Sequence, residues 1–124
     1  MRIKNNQAIL NAPFGSILLT FADGDLIKCE LSEAAVEEDL GSFVGHKAVK
    51  ALQSYLKGDI HVLDSWKPSE DGTEFRRRVW KEIAKVRAGD TVTYGQIADS
   101  LDSSPRAVGS ACGDNPLPIF VGCH

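Results

Sequence analysis

The sequence contains no long apolar segment and no large excess of charge of one sign. Because no stretch stays apolar for about twenty residues, we do not expect a helix that crosses a bilayer. The first residues, Met1 to Asn6, lack the apolar run and the small-residue cleavage site of a secretory signal, so we expect a cytoplasmic protein. The 124 residues, 43% hydrophobic and 25% charged, instead have the composition of a globular domain.

Cysteine is also scarce: Cys29, Cys112 and Cys123 are an odd number at irregular spacing. This pattern fits neither a disulfide framework nor the paired ligands of a structural zinc site, so at least one thiol should be free. A free thiolate is a good nucleophile, but most cysteines are inert core residues. The spacing alone leaves both interpretations open.

Charge is distributed unevenly along the chain. Residues 72–124 contain 7 Lys and Arg and 6 Asp and Glu, a net charge of +1, which leaves 7 minus 11, or −4, for residues 1–71. Any DNA-binding surface would therefore belong to the second half, where attraction to phosphates is modest and tight binding would need recognition of shape or of a lesion. The three arginines at 76–78 are better explained as a solvated helix face than as DNA contacts.

The first half predicts a small α/β lobe. Residues 17–21 and 26–31 are β-prone and flank the turn residues Asp23-Gly24, which indicates a hairpin. Apolar residues then recur at helical spacing up to Gly58, which predicts one amphipathic helix packed on the sheet. The linker-like composition of residues 64–72 places the lobe boundary after residue 71. The helical positions are Val49, Leu52 and Leu56.

The second half, residues 72–124, is predicted to be mainly helical. Thr73 can cap a first helix, and a second short helix is expected from Tyr94 through Leu101. Ser103 or Ser104 can cap a third helix that begins at Pro105. Two short helices joined by a tight turn are a helix-turn-helix candidate, although many helical proteins contain such a pair. The apolar stripe of the first helix consists of Phe75, Val79, Ile83 and Val86.

Four segments of this half have the order and spacing of a known family: TEFRRRVW at 73–80, GDTVTYGQIA at 89–98, SPRAVGSA at 104–111 and NPLPI at 115–119. Together with PFGS at 13–16, they resemble the O6-alkylguanine-DNA alkyltransferases over essentially the whole chain. Members of this family take an alkyl group from guanine onto one of their own cysteines. The resemblance implies a winged-helix-like second lobe, no metal or organic cofactor, and a monomer that binds double-stranded DNA containing O6-alkylguanine.

The resemblance implies catalytic roles for three residues. Cys123 matches the acceptor thiol, whose attack on the alkyl carbon needs no cofactor. His124 matches the histidine that helps to remove the thiol proton through a water molecule. Asn115 matches the hinge between the recognition helix and a strand that leads to the cysteine. Cys29 and Cys112 match no functional position and are expected in the core.

The resemblance also implies DNA contacts on the helix-turn-helix. Tyr94 matches the tyrosine that crowds the phosphate of the target nucleotide, and Arg106 matches the arginine that fills the stack left by the flipped base. Flipping is needed because the guanine oxygen is out of reach inside a stacked duplex. Small residues around Arg106 would let the helix approach the minor groove, although they could equally serve close helix packing. They are Ser104, Ala107, Gly109 and Ser110.

The sequence departs from the family at its end. The family motif is Pro-Cys-His-Arg, whereas Gly122-Cys123-His124 is followed by no further residue. In the family, the following segment supplies an arginine, a loop of the alkyl pocket and a glutamate that orients the histidine. We therefore expect a second lobe that is incomplete at its C-terminus. Three functions stay open: a stoichiometric alkyltransferase, a module that binds the lesion without accepting the alkyl group, and an inactive fragment.

Overall fold

The computed structural model describes residues 4–64 and 66–121, and its contacts divide the chain into two compact units after Asp59. The fold is α/β, as the sequence predicts. Among the described residues, no helix is long and apolar enough to span a membrane. The first unit contains strands β1 (Gln7–Ala12), β2 (Gly15–Ala22) and β3 (Asp25–Ser32) and helix α1 (Lys47–Leu56). The second contains helices α2 (Glu74–Ala84), α3 (Tyr94–Ser100) and α4 (Pro105–Gly113).

The division after Asp59 lies earlier than the boundary that we expect after residue 71. The composition near residue 71 is typical of a linker, but the chain just before it is bound to the second unit. The Asp64 carboxylate accepts hydrogen bonds from the backbone N of Ala88 at 3.0 Å and from Arg87 Nε at 3.3 Å. These contacts attach the segment to the chain beyond α2, and composition does not reveal them.

The three strands form an antiparallel sheet in the order β1-β2-β3. The expected hairpin is β2-β3, and its turn residues Asp23 and Gly24 have φ angles of 51° and 82°, as a two-residue type I′ turn requires. Strand β1 has no counterpart in the sequence-based expectation. Its residues 8–10 are buried in succession, so it lacks the alternation of a half-buried strand.

The two edges of the sheet differ. On the β1 edge, Ile9 and Asp39 exchange backbone hydrogen bonds of 2.8 and 3.0 Å, so this edge is partly covered. Strand β3 pairs only with β2 among the described residues. Its apolar side chains Ile27 and Leu31 are 46% and 49% exposed. The β3 edge is therefore open.

His46 attaches helix α1 to the sheet. As the N-cap, it accepts a hydrogen bond from the backbone N of Ala48 through Nδ1 at 3.0 Å. Because Nδ1 accepts, the ring proton is on Nε2, which donates to the carbonyl oxygen of Gly24 at 2.7 Å. The ring also lies against Phe21, with centroids 4.6 Å apart. The start of α1 is thus tied to the β2-β3 turn by a residue type that is not among the preferred caps.

Helix α2 is joined to α4 by two polar contacts at different depths. The buried indole Nε1 of Trp80 donates to the carbonyl oxygen of Ala111 at 2.8 Å. Nearer the surface, Arg76 forms an ion pair of 2.8 Å with Asp114. The indole also fills the space beside Gly72, where a Cβ would lie 2.8 Å from its ring. These contacts fix α2 against the C-terminal end of α4.

We expect the contribution of Asp64 to stability to depend on pH. The hydrogen bond from the backbone of Ala88, and then those from His61 and Arg87, hold the pKa of the Asp64 carboxyl below its usual value. A carboxyl with a lowered folded-state pKa stabilises the fold above its unfolded pKa of about 4 and loses this effect as the pH falls through the folded value. Asp64→Asn should therefore destabilise the protein at neutral pH and have a smaller effect in acid.

The measurement is urea denaturation of both proteins between neutral and acidic pH. Asp99→Asn, which removes an exposed carboxylate from α3, is the matched control. An effect of Asp64→Asn that stays constant with pH would contradict the prediction.

Candidate nucleic-acid interface and the loop after it

A tight turn joins α3 to α4. Asp102 has a φ of 53°, and the backbone N of Ser103 bonds to the carbonyl oxygen of Ala98 at 2.8 Å, which closes the end of α3 as in a Schellman motif. Ser104 then caps α4, since its Oγ accepts a hydrogen bond from the backbone N of Ala107 at 3.2 Å. The expected pair of short helices is present, with Ser104 as the cap.

Tyr94 is the first residue of α3 and contacts α4. A capping box fixes this start: Thr93 Oγ1 accepts from the backbone N of Gln96 at 3.0 Å, and Gln96 Oε1 accepts from the backbone N of Thr93 at 2.8 Å. The Tyr94 side chain is 46% exposed and lies on Gly109, where a Cβ would be 3.2 Å from Tyr94 Cε2. The absence of a side chain at Gly109 lets the tyrosine ring approach the α4 backbone.

The exposed face of α4 carries one arginine among small side chains. Arg106 and Ser110 are exposed one helical turn apart, whereas Val108 and Ala111 are buried. Arg106 forms no ion pair within the described parts of the chain. The structure thus places the six predicted DNA-contacting residues in two adjacent helices of one unit and at the N-cap of the second helix. They are Tyr94, Ser104, Arg106, Ala107, Gly109 and Ser110.

Asn115 closes the loop that follows α4. Its Nδ2 donates to the carbonyl oxygen of Val121 at 2.9 Å, and its Oδ1 accepts from the backbone N of Leu117 at 3.0 Å. Within this loop Ile119 has a φ of 74°, a conformation that costs a β-branched residue about 1–3 kcal/mol. Burial of Leu117, Phe120 and Val121, together with the Asn115 bonds, holds the loop in this strained form.

The described part of this loop, residues 115–121, consists of turns and bends rather than the strand that we expect before Cys123. The bonds of Asn115 across the loop favour a compact path over an extended one. The Trp66 ring supports the loop from outside, at 4.8 Å from the ring of Phe120. Cys123 and His124 lie outside the described residues, and Val121 is two positions before the cysteine.

The other two cysteines are buried, as expected of core residues. Cys29 and Cys112 are 4% and 7% exposed, and neither is in a disulfide. Burial, and then the nearby charge of Glu30, raises the pKa of the Cys29 thiol to about 12. Cys29 is therefore protonated at neutral pH and is a poor nucleophile.

Two features of the site were not recognised in the sequence. The capping box that positions Tyr94 has a readable signal, because Thr93 and Gln96 have the required spacing of three residues. The bond between Trp80 and Ala111, which supports α4 from below, joins residues 31 positions apart and has no local signal.

The fold and the site define a protein of two units, the second of which carries a helix-turn-helix with a small-residue face. Residues 74–124 match the family model described as 6-O-methylguanine DNA methyltransferase, DNA binding domain. The methylated-DNA–protein-cysteine methyltransferase of Metallosphaera sedula is 37% identical over 115 residues, covering 91% of this chain and 72% of the relative. That of Methanosarcina acetivorans is 34% identical over 128 residues, covering 94% and 80%. This chain belongs to the methylated-DNA–protein-cysteine methyltransferase family.

Solved structures show the same likeness. The O6-methylguanine methyltransferase of Mycobacterium tuberculosis aligns with a TM-score of 0.73 at 30% identity, covering 96% of this chain and 76% of that one. A Mycobacterium tuberculosis OGT crystallised in complex with DNA aligns with a TM-score of 0.67 at 31% identity, covering 95% and 76%. The α/β fold and the helix-turn-helix unit are therefore those of a known DNA repair family.

The contact between Gly109 and Tyr94 makes a testable prediction. In Gly109→Ala the new methyl group would meet the Tyr94 ring at 3.2 Å, so the ring should move. The control is Gly113→Ala on the same helix, where no atom outside the adjacent backbone of α4 lies within 4 Å of the added Cβ. We expect Gly113→Ala to stabilise the protein by up to about 1 kcal/mol through helix propensity, and Gly109→Ala to stabilise it less. Urea denaturation measures both, and aromatic NMR signals report the ring. Unchanged Tyr94 signals in Gly109→Ala would contradict the predicted displacement.

Proposed function

We propose that this protein repairs O6-alkylguanine in duplex DNA by transferring the alkyl group, stoichiometrically, to its own Cys123. The observation that carries the proposal is the joint placement of Tyr94 and Arg106 on a helix-turn-helix with a small-residue face, in a chain of this family. A cytoplasmic location is part of the proposal, because a nucleophilic thiol suits a reducing compartment.

The α4 face suits the minor groove. Small side chains at Ala107 and Ser110 keep the helix backbone accessible, and the exposed arginine between the helix start and these residues is long enough to enter a base stack. Arg106 would occupy the gap left by the flipped guanine, while Tyr94 would press on the phosphate of that nucleotide. The net charge of only +1 on residues 72–124 makes non-specific attraction weak, so recognition would depend on the flipped lesion.

The chemistry would be a direct displacement at the alkyl carbon. The Cys123 sulfur forms a bond to this carbon as the carbon–oxygen bond breaks, and the guanine oxygen keeps the electron pair. His124, through a water molecule, would take the thiol proton, and the guanine ring would be reprotonated to leave as a neutral base. The thioether does not revert, so each molecule would act once. Asn115 would act as a positioning residue, since its bonds shape the loop that leads to Cys123.

The test is to incubate the protein with excess duplex DNA that contains one O6-methylguanine and to measure the intact protein mass. We expect one methyl group per molecule, and none in Cys123→Ala. Cys29→Ala is the matched control, because that thiol is buried and should not accept the group. Lesion-specific binding without a mass gain would favour a lesion-binding module instead, and neither binding nor transfer would favour an inactive fragment.

Arg106→Ala tests the base-flipping part of the proposal. Loss of a side chain that stacks in place of a base should weaken lesion binding about fivefold or more, since stacking contributes about 1–3 kcal/mol per base. Arg78→Ala removes an exposed arginine from α2 and is the charge-matched control, expected to have a small effect. Fluorescence anisotropy with lesion and undamaged duplexes measures both. Equal losses in the two variants would indicate charge attraction only and contradict the stacking role.

A further inference from the structure

Tyr94 lies at a position where a side chain is usually poorly fixed. It is the exposed first residue of α3, a helix of only seven residues. Helices of this length are marginally stable by themselves, and helix ends fray. A tyrosine that presses on a phosphate has to keep its position under load, so other parts of the unit must hold the ring in place.

We propose that Thr93 and Gly109 are positioning residues for base flipping, because together they fix the Tyr94 ring against α4. Both residues act through Tyr94 rather than through DNA contacts of their own. The inference rests on the proposed function, since it assigns the support of the side chain that acts on the flipped nucleotide. It also changes the role of Gly109, which the family resemblance implies to be a direct DNA contact.

Thr93 fixes the backbone from which the tyrosine side chain projects. Its Oγ1 and its carbonyl oxygen accept hydrogen bonds from the backbone N of Gln96 at 3.0 Å and of Ile97 at 3.2 Å. Its own backbone N donates to Gln96 Oε1 at 2.8 Å. Residues 91–93 belong to no helix or strand, so these bonds restrain the chain where it enters α3. Without the Thr93 hydroxyl, the turn that begins with Tyr94 would lose its cap.

Gly109 provides the surface against which the ring packs. A Cβ at this position would lie 3.2 Å from Cε2, 3.4 Å from Cδ2 and 4.0 Å from Cζ of Tyr94, so one edge of the ring faces the α4 backbone. The buried side chains of Val108 and Cys112 fix the rotation of α4 and therefore the direction of this surface. Because the ring covers the backbone at Gly109, this part of α4 is not open to a DNA groove.

The expected effect of this support is moderate. A side chain that must be ordered when a complex forms lowers the affinity about twofold to tenfold. Thr93 and Gly109 order the tyrosine within the protein itself, so loss of either support should reduce the fraction of lesion complexes in which the guanine is flipped. The rate of alkyl transfer at saturating lesion duplex measures this fraction, because only a flipped base can react.

Two threonine caps in the same unit separate positioning from stability. Thr93→Ala should slow single-turnover transfer at saturating lesion duplex about twofold to tenfold, and Thr93→Ser, which keeps the hydroxyl, should transfer at the wild-type rate. The control Thr73→Ala removes the equivalent cap from α2, where Thr73 Oγ1 accepts from the backbone N of Arg76 at 3.2 Å. It should lose similar stability in urea but keep the wild-type rate. Equal rates for the two alanine variants, or a slow serine variant, would overturn the inference.

A double-mutant cycle tests whether both residues act through the tyrosine. In a Tyr94→Ala background, neither Thr93→Ala nor Gly109→Ala should slow transfer further, because the side chain that they position is gone. A further loss of about twofold or more from either change in this background would show a direct role and overturn the inference. Wild-type protein that transfers no alkyl group would instead contradict the proposed function, and this inference with it.

NMR of the free proteins tests the support of the ring separately from transfer. The aromatic signals of Tyr94 should shift in Thr93→Ala, because the start of α3 loses its cap, and they should stay unchanged in Thr73→Ala. Tyr94 signals that are unchanged in Thr93→Ala would overturn the inference even if the wild-type protein is active.

Discussion

The hydrogen bond from Trp80 to the carbonyl of Ala111 is the contact on which the second unit depends. It joins the long helix α2 to the helix that bears Arg106, and it lies where water does not compete. A buried carbonyl left without a hydrogen-bond partner costs about 1–3 kcal/mol. The hydrogen bond to Ala111 therefore fixes the position of the indole in addition to its packing. The Arg76–Asp114 ion pair, nearer the surface, fixes the rotation of the same helix end with less energy.

Because α2 supports the buried side of α4, the exposed side of α4 can carry small residues around Arg106. Gly109 receives the Tyr94 ring and Ser110 leaves the surface open, so the helix contributes little packing through its exposed side. A helix composed of small residues is a poor source of stability by itself. Packing between α2 and the buried residues of α4 therefore stabilises the unit, whereas the exposed face of α4 is available for a ligand.

Much of this arrangement could be predicted from the sequence. The β2-β3 hairpin, the cap at Thr73, the extent of α3 and a cap at Ser103 or Ser104 all follow from local signals of turn and capping chemistry. Strand β1 and the unit boundary could not be predicted, because the first has no alternating pattern and the second depends on long-range bonds to Asp64. The strand expected before Cys123 was implied by the family resemblance, and no local signal in the sequence reveals that Asn115 binds backbone groups on both sides of a bend.

The positive φ angle of Ile119 in that loop has a further consequence. Ile119 is held in place only while the Asn115 bonds and the burial of its neighbours act together, so the loop stores conformational energy that any single loosening would release. Its opening is therefore expected to be all-or-none rather than gradual. Residues 115–121 therefore behave as one stiff segment whose shape depends on the Asn115 side chain.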